Sequence, residues 1–134
     1  MADAPAREDV QKWNRWFAVE CNNHAWRLAE QVSRTPAEDE EMVHAAHAAT
    51  LHWSRVGTEL HQARAAMLLG QVHALVGDGK RALRYARESF AFVTARQDTP
   101  GWELAFAHAA LGSALPDNEE RAIFEATFRT VPAP

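Results

Sequence analysis

The stretch LLGQVHALVGDGKRALRYA, residues 68–86, predicts two helices separated by a sharp turn. Apolar residues dominate the segment before Gly77, and a second helical segment begins directly after Asp78. Glycine adopts the left-handed backbone that commonly ends a helix, and aspartate is a favoured N-cap residue. Because the connection is so short, we expect an antiparallel helical hairpin.

Similar start and stop signals divide the rest of the chain. Thr35, Pro36 and Glu38 have the pattern of a capping box with proline at the first helical position. No segment shows the alternation typical of a β-strand, so the predicted fold class is all-α. The predicted helices cover residues 6–33, 36 to about 57, 59–76, 79–95, 100–115 and, after Asp117 as cap, about 118–128.

Residues 62–94 resemble one hairpin of the tetratricopeptide repeat (TPR) family. Leu69, Gly70, His73, Gly77 and Ala82 fall at the spacing of its signature. The resemblance implies that Gly70 lets the second helix approach closely and that Ala82 packs where the helices cross. It also implies about six antiparallel helices in three stacked, degenerate TPR-like hairpins, and a compact six-helix bundle is the alternative. Four positions depart from the family pattern, namely Ala66, His73, Ala86 and Thr94.

The composition predicts a single globular domain over residues 6–129, with a disordered N-terminus at 1–5 and a frayed C-terminus at 130–134. A net charge of −4 disfavours a nucleic-acid partner, and no apolar run is long enough to cross a membrane. The N-terminus lacks the apolar segment of a secretory signal. The single cysteine, Cys21, excludes an internal disulfide framework. We therefore expect a cytoplasmic protein with neither a nucleic-acid nor a membrane partner.

The first helix carries one apolar face, with a carboxylate and an imidazole close together on or beside it. At 100° per residue, the predicted core face contains Val10, Trp13, Phe17, Cys21, His24, Leu28 and Val32. Glu20 lies at its edge, one turn before His24, whereas Val19 and Trp26 lie opposite. The Glu20–His24 pair is an acid–base or ligand-orienting pair, a buried hydrogen-bonded pair that fixes the helix register, or a pair at the edge of the core that is half in solvent. We expect Cys21 to be an inert thiol.

The second helix has the spacing of possible metal ligands on one face. Glu40, His44 and His47 could hold zinc, and Glu41 with His44 has the Glu-x-x-His spacing of di-iron bundles. A second such motif is missing, so we predict no metal and no cofactor. His73 and His108 are expected to be core histidines. The opposite, core-facing arc contains Met42, Ala45, Ala46, Ala49, Trp53 and Val56.

The predicted function follows from the TPR resemblance together with the missing catalytic motifs. In a TPR-like array, Arg64, Met67 and Gln71 of the third helix would line a groove that grips a peptide, unless helix 1 fills it. The sequence therefore predicts a non-enzymatic interaction or scaffold module that binds a peptide, another protein or a second copy in a homodimer. The alternative is a small-molecule- or metal-binding helical domain that uses buried Glu20 and His24. No catalytic residue is predicted.

Overall fold

The computed structural model describes residues 3–114, apart from the side chains of Trp102, Ser113 and Ala114. Within this part of the chain all regular secondary structure is helical, and no strand occurs. The all-α prediction is therefore confirmed. The predicted sixth helix, after Asp117, and the tail at 130–134 lie outside the described residues. The five described helices are α1 (Arg7–Ala29), α2 (Pro36–Val56), α3 (Glu59–Leu75), α4 (Gly79–Ala95) and α5 (Gly101–Ala114).

The chain forms two compact units, Met1–Ala65 and Ala66–Pro134, with the boundary inside α3. The first unit contains α1, α2 and the beginning of α3. The described part of the second unit contains the remainder of α3 together with α4 and α5. Each unit has buried apolar clusters of its own.

The start of α2 has the predicted capping box. The Thr35 hydroxyl accepts a hydrogen bond from the Glu38 backbone N–H (3.2 Å), and the Glu38 carboxylate accepts one from the Thr35 N–H (3.0 Å). These hydrogen bonds lower the pKa of Glu38, because they stabilise the ionised carboxylate. Pro36 occupies the first turn, where its missing N–H has no cost.

The turn between α3 and α4 confirms the hairpin predicted from residues 68–86. Gly77 has a φ of 82°, its N–H donates to the Ala74 carbonyl (3.2 Å), and the Asp78 N–H donates to the His73 carbonyl (2.9 Å). This is a Schellman motif, which satisfies the last carbonyls of a helix. The Asp78 carboxylate then caps α4 by accepting from the Arg81 N–H (3.2 Å).

Small residues set the distance between α3 and α4. A Cβ atom added to Gly70 would lie 3.2 Å from the backbone nitrogen of Ala86 and 3.4 Å from the carbonyl oxygen of Ala82. Ala82 and Ala86 are themselves buried. Any larger residue at position 70 would therefore push the two helices apart.

The second unit is closed by the packing of α5 on α4. Met67, Val93 and Ala107 form one buried cluster, and Ala86 and Leu111 form another. The helix α5 begins at Gly101, one residue after the predicted start. The Thr99 hydroxyl donates to the Val93 carbonyl (2.7 Å), so it ties the connecting segment back to α4.

The first unit is built on the packing of α1 against α2. The predicted core arc of α2 is confirmed, since Met42, Ala45, Ala46, Ala49 and Trp53 are buried and Val56 is half-buried. The predicted core face of α1 was wrong. Of its seven residues only Leu28 is buried, and the buried positions of α1 are Asn14, Ala18, Ala25 and Leu28. Two of the four buried positions of α1 are alanines, which let the helix axes come close, whereas Trp13 and Trp16 remain exposed.

The helix α1 also ends earlier than predicted, at Ala29 rather than Ser33. The Arg34 guanidinium donates to the carbonyls of Leu28 (3.3 Å), Ala29 (3.5 Å) and Gln31 (3.3 Å) and pairs with Asp39 (2.7 Å). One side chain therefore satisfies several carbonyls at the end of α1 and joins them to the first turn of α2. The Arg34 side chain reaches these carbonyls because the helix ends at Ala29 and the chain reverses direction before residue 34.

Candidate functional site

Large apolar side chains are exposed along the first half of α1. Trp13, Trp16 and Phe17 are 55%, 50% and 42% exposed, and Val10 and Val19 are 39% and 40% exposed. These five residues are termed the aromatic face. Single exposed apolar residues are ordinary, but adjoining exposed rings such as Trp13, Trp16 and Phe17 are typical of an interaction surface.

The three rings of the aromatic face hold one another in place. The ring centroids of Trp13 and Trp16 are 6.1 Å apart at an interplanar angle of 79°, and those of Trp16 and Phe17 are 5.0 Å apart at 83°. Edge-to-face contacts of this kind are favourable between aromatic rings. The face is therefore a preorganised surface, which lowers the entropic cost of binding.

His52 of α2 anchors the aromatic face to the first unit. Its ring stacks on Phe17 with centroids 5.6 Å apart, and its Nδ1 donates to the side-chain oxygen of Asn14 (2.7 Å). Asn14 is only 7% exposed, and a buried amide is retained at low cost when it has such a partner. This bond helps to fix the rotation of α1 about its own axis, with Phe17 against His52.

The predicted groove residues of α3 do not share one environment. Arg64 is exposed and Gln71 is half-buried, whereas Met67 is only 6% exposed and packs against Val93 and Ala107. The prediction that Met67 lines an open groove was therefore wrong. Its apolar side chain gains more from the core of the second unit than from a surface position.

Glu20 and His24 are not buried, and they do not form the predicted pair. Glu20 is exposed, and the His24 side chain is 36% exposed. The imidazole instead lies 3.5 Å from Glu41 and within 3.1 Å of the Arg27 guanidinium. The structure therefore does not bring Glu20 and His24 together as an acid–base pair.

The face of α2 that carries Glu40, His44 and His47 is directed to the surface. Glu40, His44 and His47 are exposed. Among residues 3–114, no three side chains of His, Cys, Asp or Glu come together in a way that could hold a metal ion.

Two histidines of the second unit are held in the neutral form by burial. His73 is 3% exposed, stacks on Tyr85 (centroids 5.8 Å apart) and lies 3.8 Å from the Asp78 carboxylate. Burial lowers the pKa of His73 and that of the half-buried His108, whose ring meets Phe90 edge-on. Burial also raises the pKa of Cys21, which agrees with the predicted inert thiol.

The sequence reasoning did not identify the aromatic face as a surface. It named Val19 and Trp26 as apolar residues outside the core, and of these Val19 is exposed and Trp26 is half-buried. A useful signal was present in the small residues, because Ala18 and Ala25 lie seven apart and mark the close-packed side of α1.

Comparison with protein-family models, curated proteins and solved structures finds no match for this chain. None of the described helices is both long enough and apolar enough to span a lipid bilayer.

Proposed function

We propose that this chain is a non-enzymatic protein-interaction module that associates with a second copy of itself through the aromatic face of α1. The exposure of Trp13 and Trp16 carries the proposal. Indole rings that become buried on association are among the largest contributors to binding energy. A rigid pair of indoles on one helix is therefore suited to bind another helix.

The charges around Trp16 fit an antiparallel pairing of two α1 helices. Lys12 and Glu20 lie four residues before and after Trp16, about 6 Å along the helix in each direction and about 40° to either side. A twofold axis at Trp16 brings each Lys12 level with Glu20 of the second copy. Parallel pairing would instead set like charges side by side. Both charged side chains are exposed.

The apolar residues follow the same register. Trp13 and Val19 lie three residues on either side of Trp16, so the antiparallel arrangement sets each Trp13 at the same height along the helix pair as Val19 of the second copy. One helix pair buries less than the roughly 1,600 Å² of a standard interface. We therefore expect a weak dimer whose population depends on protein concentration.

The TPR resemblance supports the same class of function. We propose that α3 and α4 form one TPR-like hairpin of a helical scaffold, because Gly70, Gly77 and Ala82 have the close approach, left-handed turn and buried position that the signature implies. Arg64 and Gln71 remain candidates for contact with a peptide on this scaffold.

The oligomeric state of the full chain tests the proposal. Sedimentation across a range of concentrations should show the mass rising from monomer to dimer, and Trp16→Ala should keep the protein monomeric. Val32→Ala is the matched control, since Val32 is fully exposed in the connection after α1 and lies outside the aromatic face. A wild-type protein that stays monomeric at all concentrations contradicts the proposal.

A further inference from the structure

A cleft of about 400 Å³ lies where α1 begins and α2 ends. This basic cleft is lined by Gln11, Lys12, Arg15, Arg55, Val56 and Gly57. Three of these six residues are cations, none is acidic, and the three cations are exposed. A concave surface with one sign of charge concentrates ligands of the opposite sign.

Arg15 is held in position at the basic cleft. Its Nη2 donates to the Val56 carbonyl (3.1 Å) at the end of α2. A guanidinium has five N–H donors in a fixed planar arrangement, so this bond orients the group while leaving other donors for a ligand.

The positive charge of the basic cleft is not neutralised within the first unit. Over residues 3–114, the ion pairs involve other cations, and Lys12, Arg15 and Arg55 pair with no carboxylate. The field of Arg15 reaches His61, which lies against Trp53 and Thr58. Burial, Arg15 and Arg64 together lower the pKa of His61.

Helix capping explains only part of this arrangement. Cations near the C-terminus of a helix interact favourably with its dipole, which accounts for Arg55 and for the bond from Arg15. Lys12 belongs to α1, and a single donor already satisfies the Val56 carbonyl. Helix capping therefore does not account for Lys12, the third cation of the basic cleft.

We propose that the basic cleft binds the phosphate group of an anionic ligand. Three cations match the charge of a phosphate monoester, about −1.5 to −2 at neutral pH, better than the single charge of a carboxylate. Guanidinium groups also bind phosphate oxygens in a bidentate manner. Lys12 is shared with its proposed pairing to Glu20 of a second copy, whereas Arg15 and Arg55 take no part in that pairing, so variants of these two arginines test the inference separately from self-association.

Titration of the full chain with inorganic phosphate tests the inference by nuclear magnetic resonance, with ionic strength held constant by sodium chloride. The Arg15 side-chain signal should shift and saturate. The pKa of His61 should rise, because a bound anion offsets the charge of Arg15. Acetate, titrated in the same way, should bind more weakly than phosphate.

Matched variants locate the binding site. Arg15→Gln and Arg55→Gln should each weaken phosphate binding about fivefold, the effect of about 1 kcal/mol for one charge near the surface. Arg27→Gln removes the same charge from the other end of α1 and should leave the affinity unchanged. Phosphate shifts that do not saturate, equal binding of acetate, or unchanged affinity in both cleft variants would each overturn the inference.

Discussion

Gly57 and Gly77 follow helices for two different physical reasons. Gly77 has a positive φ of 82°, a conformation that costs other residues energy. Gly57 has an extended backbone with φ of −89°, but a Cβ atom there would lie 2.7 Å from the Trp53 carbonyl oxygen and 2.9 Å from the His61 Cβ. The sequence shows a glycine in both places, and only the structure distinguishes backbone strain from close approach.

At Gly77 the cost of a side chain should come from the backbone alone. No atom lies within 4 Å of the position that a Cβ would occupy, so Gly77→Ala should lower the free energy of unfolding by about 1 kcal/mol through φ. Gly79→Ala is the matched control, since Gly79 has the same open surroundings without a positive φ, and alanine favours helix there. Urea denaturation of both variants measures the difference, and equal stability of the two would contradict this account.

At the scale of the element, α1 shows where sequence reasoning succeeds and where it fails. Local signals predicted α2 and α4 well, because Thr35 and Asp78 cap helices through bonds to residues three positions away. The buried face of α1 depends instead on a distant helix. Asn14 looked unsuited to a core because its partner, His52, lies 38 residues away in the sequence. Because of this error the largest apolar residues of α1 were assigned to the core, and the aromatic face was not recognised as a surface.

The start of α3 depends on the protonation of His61. The Thr58 N–H donates to His61 Nδ1 (3.0 Å), which accepts only while that nitrogen is unprotonated. The pKa of His61 is lowered from its ordinary value of 6.5, chiefly by burial and then by Arg15 and Arg64. The imidazole therefore binds a proton less tightly in the folded chain than in the unfolded chain.

This difference predicts a loss of stability in acid. The free energy of unfolding contributed by neutral His61 is fully present above pH 6.5 and decreases as the pH falls through the lowered pKa. Thermal unfolding between pH 7.5 and about 5 should show the decrease. His61→Gln should reduce the pH dependence, and the remainder should come from His73 and His108, whose pKa values burial also lowers. An unchanged pH profile in His61→Gln would show that this group does not contribute.

At the scale of the whole molecule, the division of roles between the two units was not predictable. The sequence predicted an all-helical chain and the hairpin of residues 68–86, because both depend on local periodicity and turn residues. It did not predict the boundary at Ala65, nor that the first unit would carry both the aromatic face and the basic cleft. These surfaces depend on which side of α1 meets α2, a choice made by long-range packing.

Self-association through α1 is the central claim for the whole molecule, and charge reversal tests it most directly. The measurement is the dimer dissociation constant, by sedimentation, of Lys12→Glu, Glu20→Lys and the double variant. Each single reversal sets like charges together twice and should weaken the dimer about tenfold, whereas the double variant should restore wild-type affinity. Lys80→Glu, the same charge change on α4 of the second unit, should have no effect. Single variants that dimerise like the wild type, or a double variant as weak as the singles, would contradict the account.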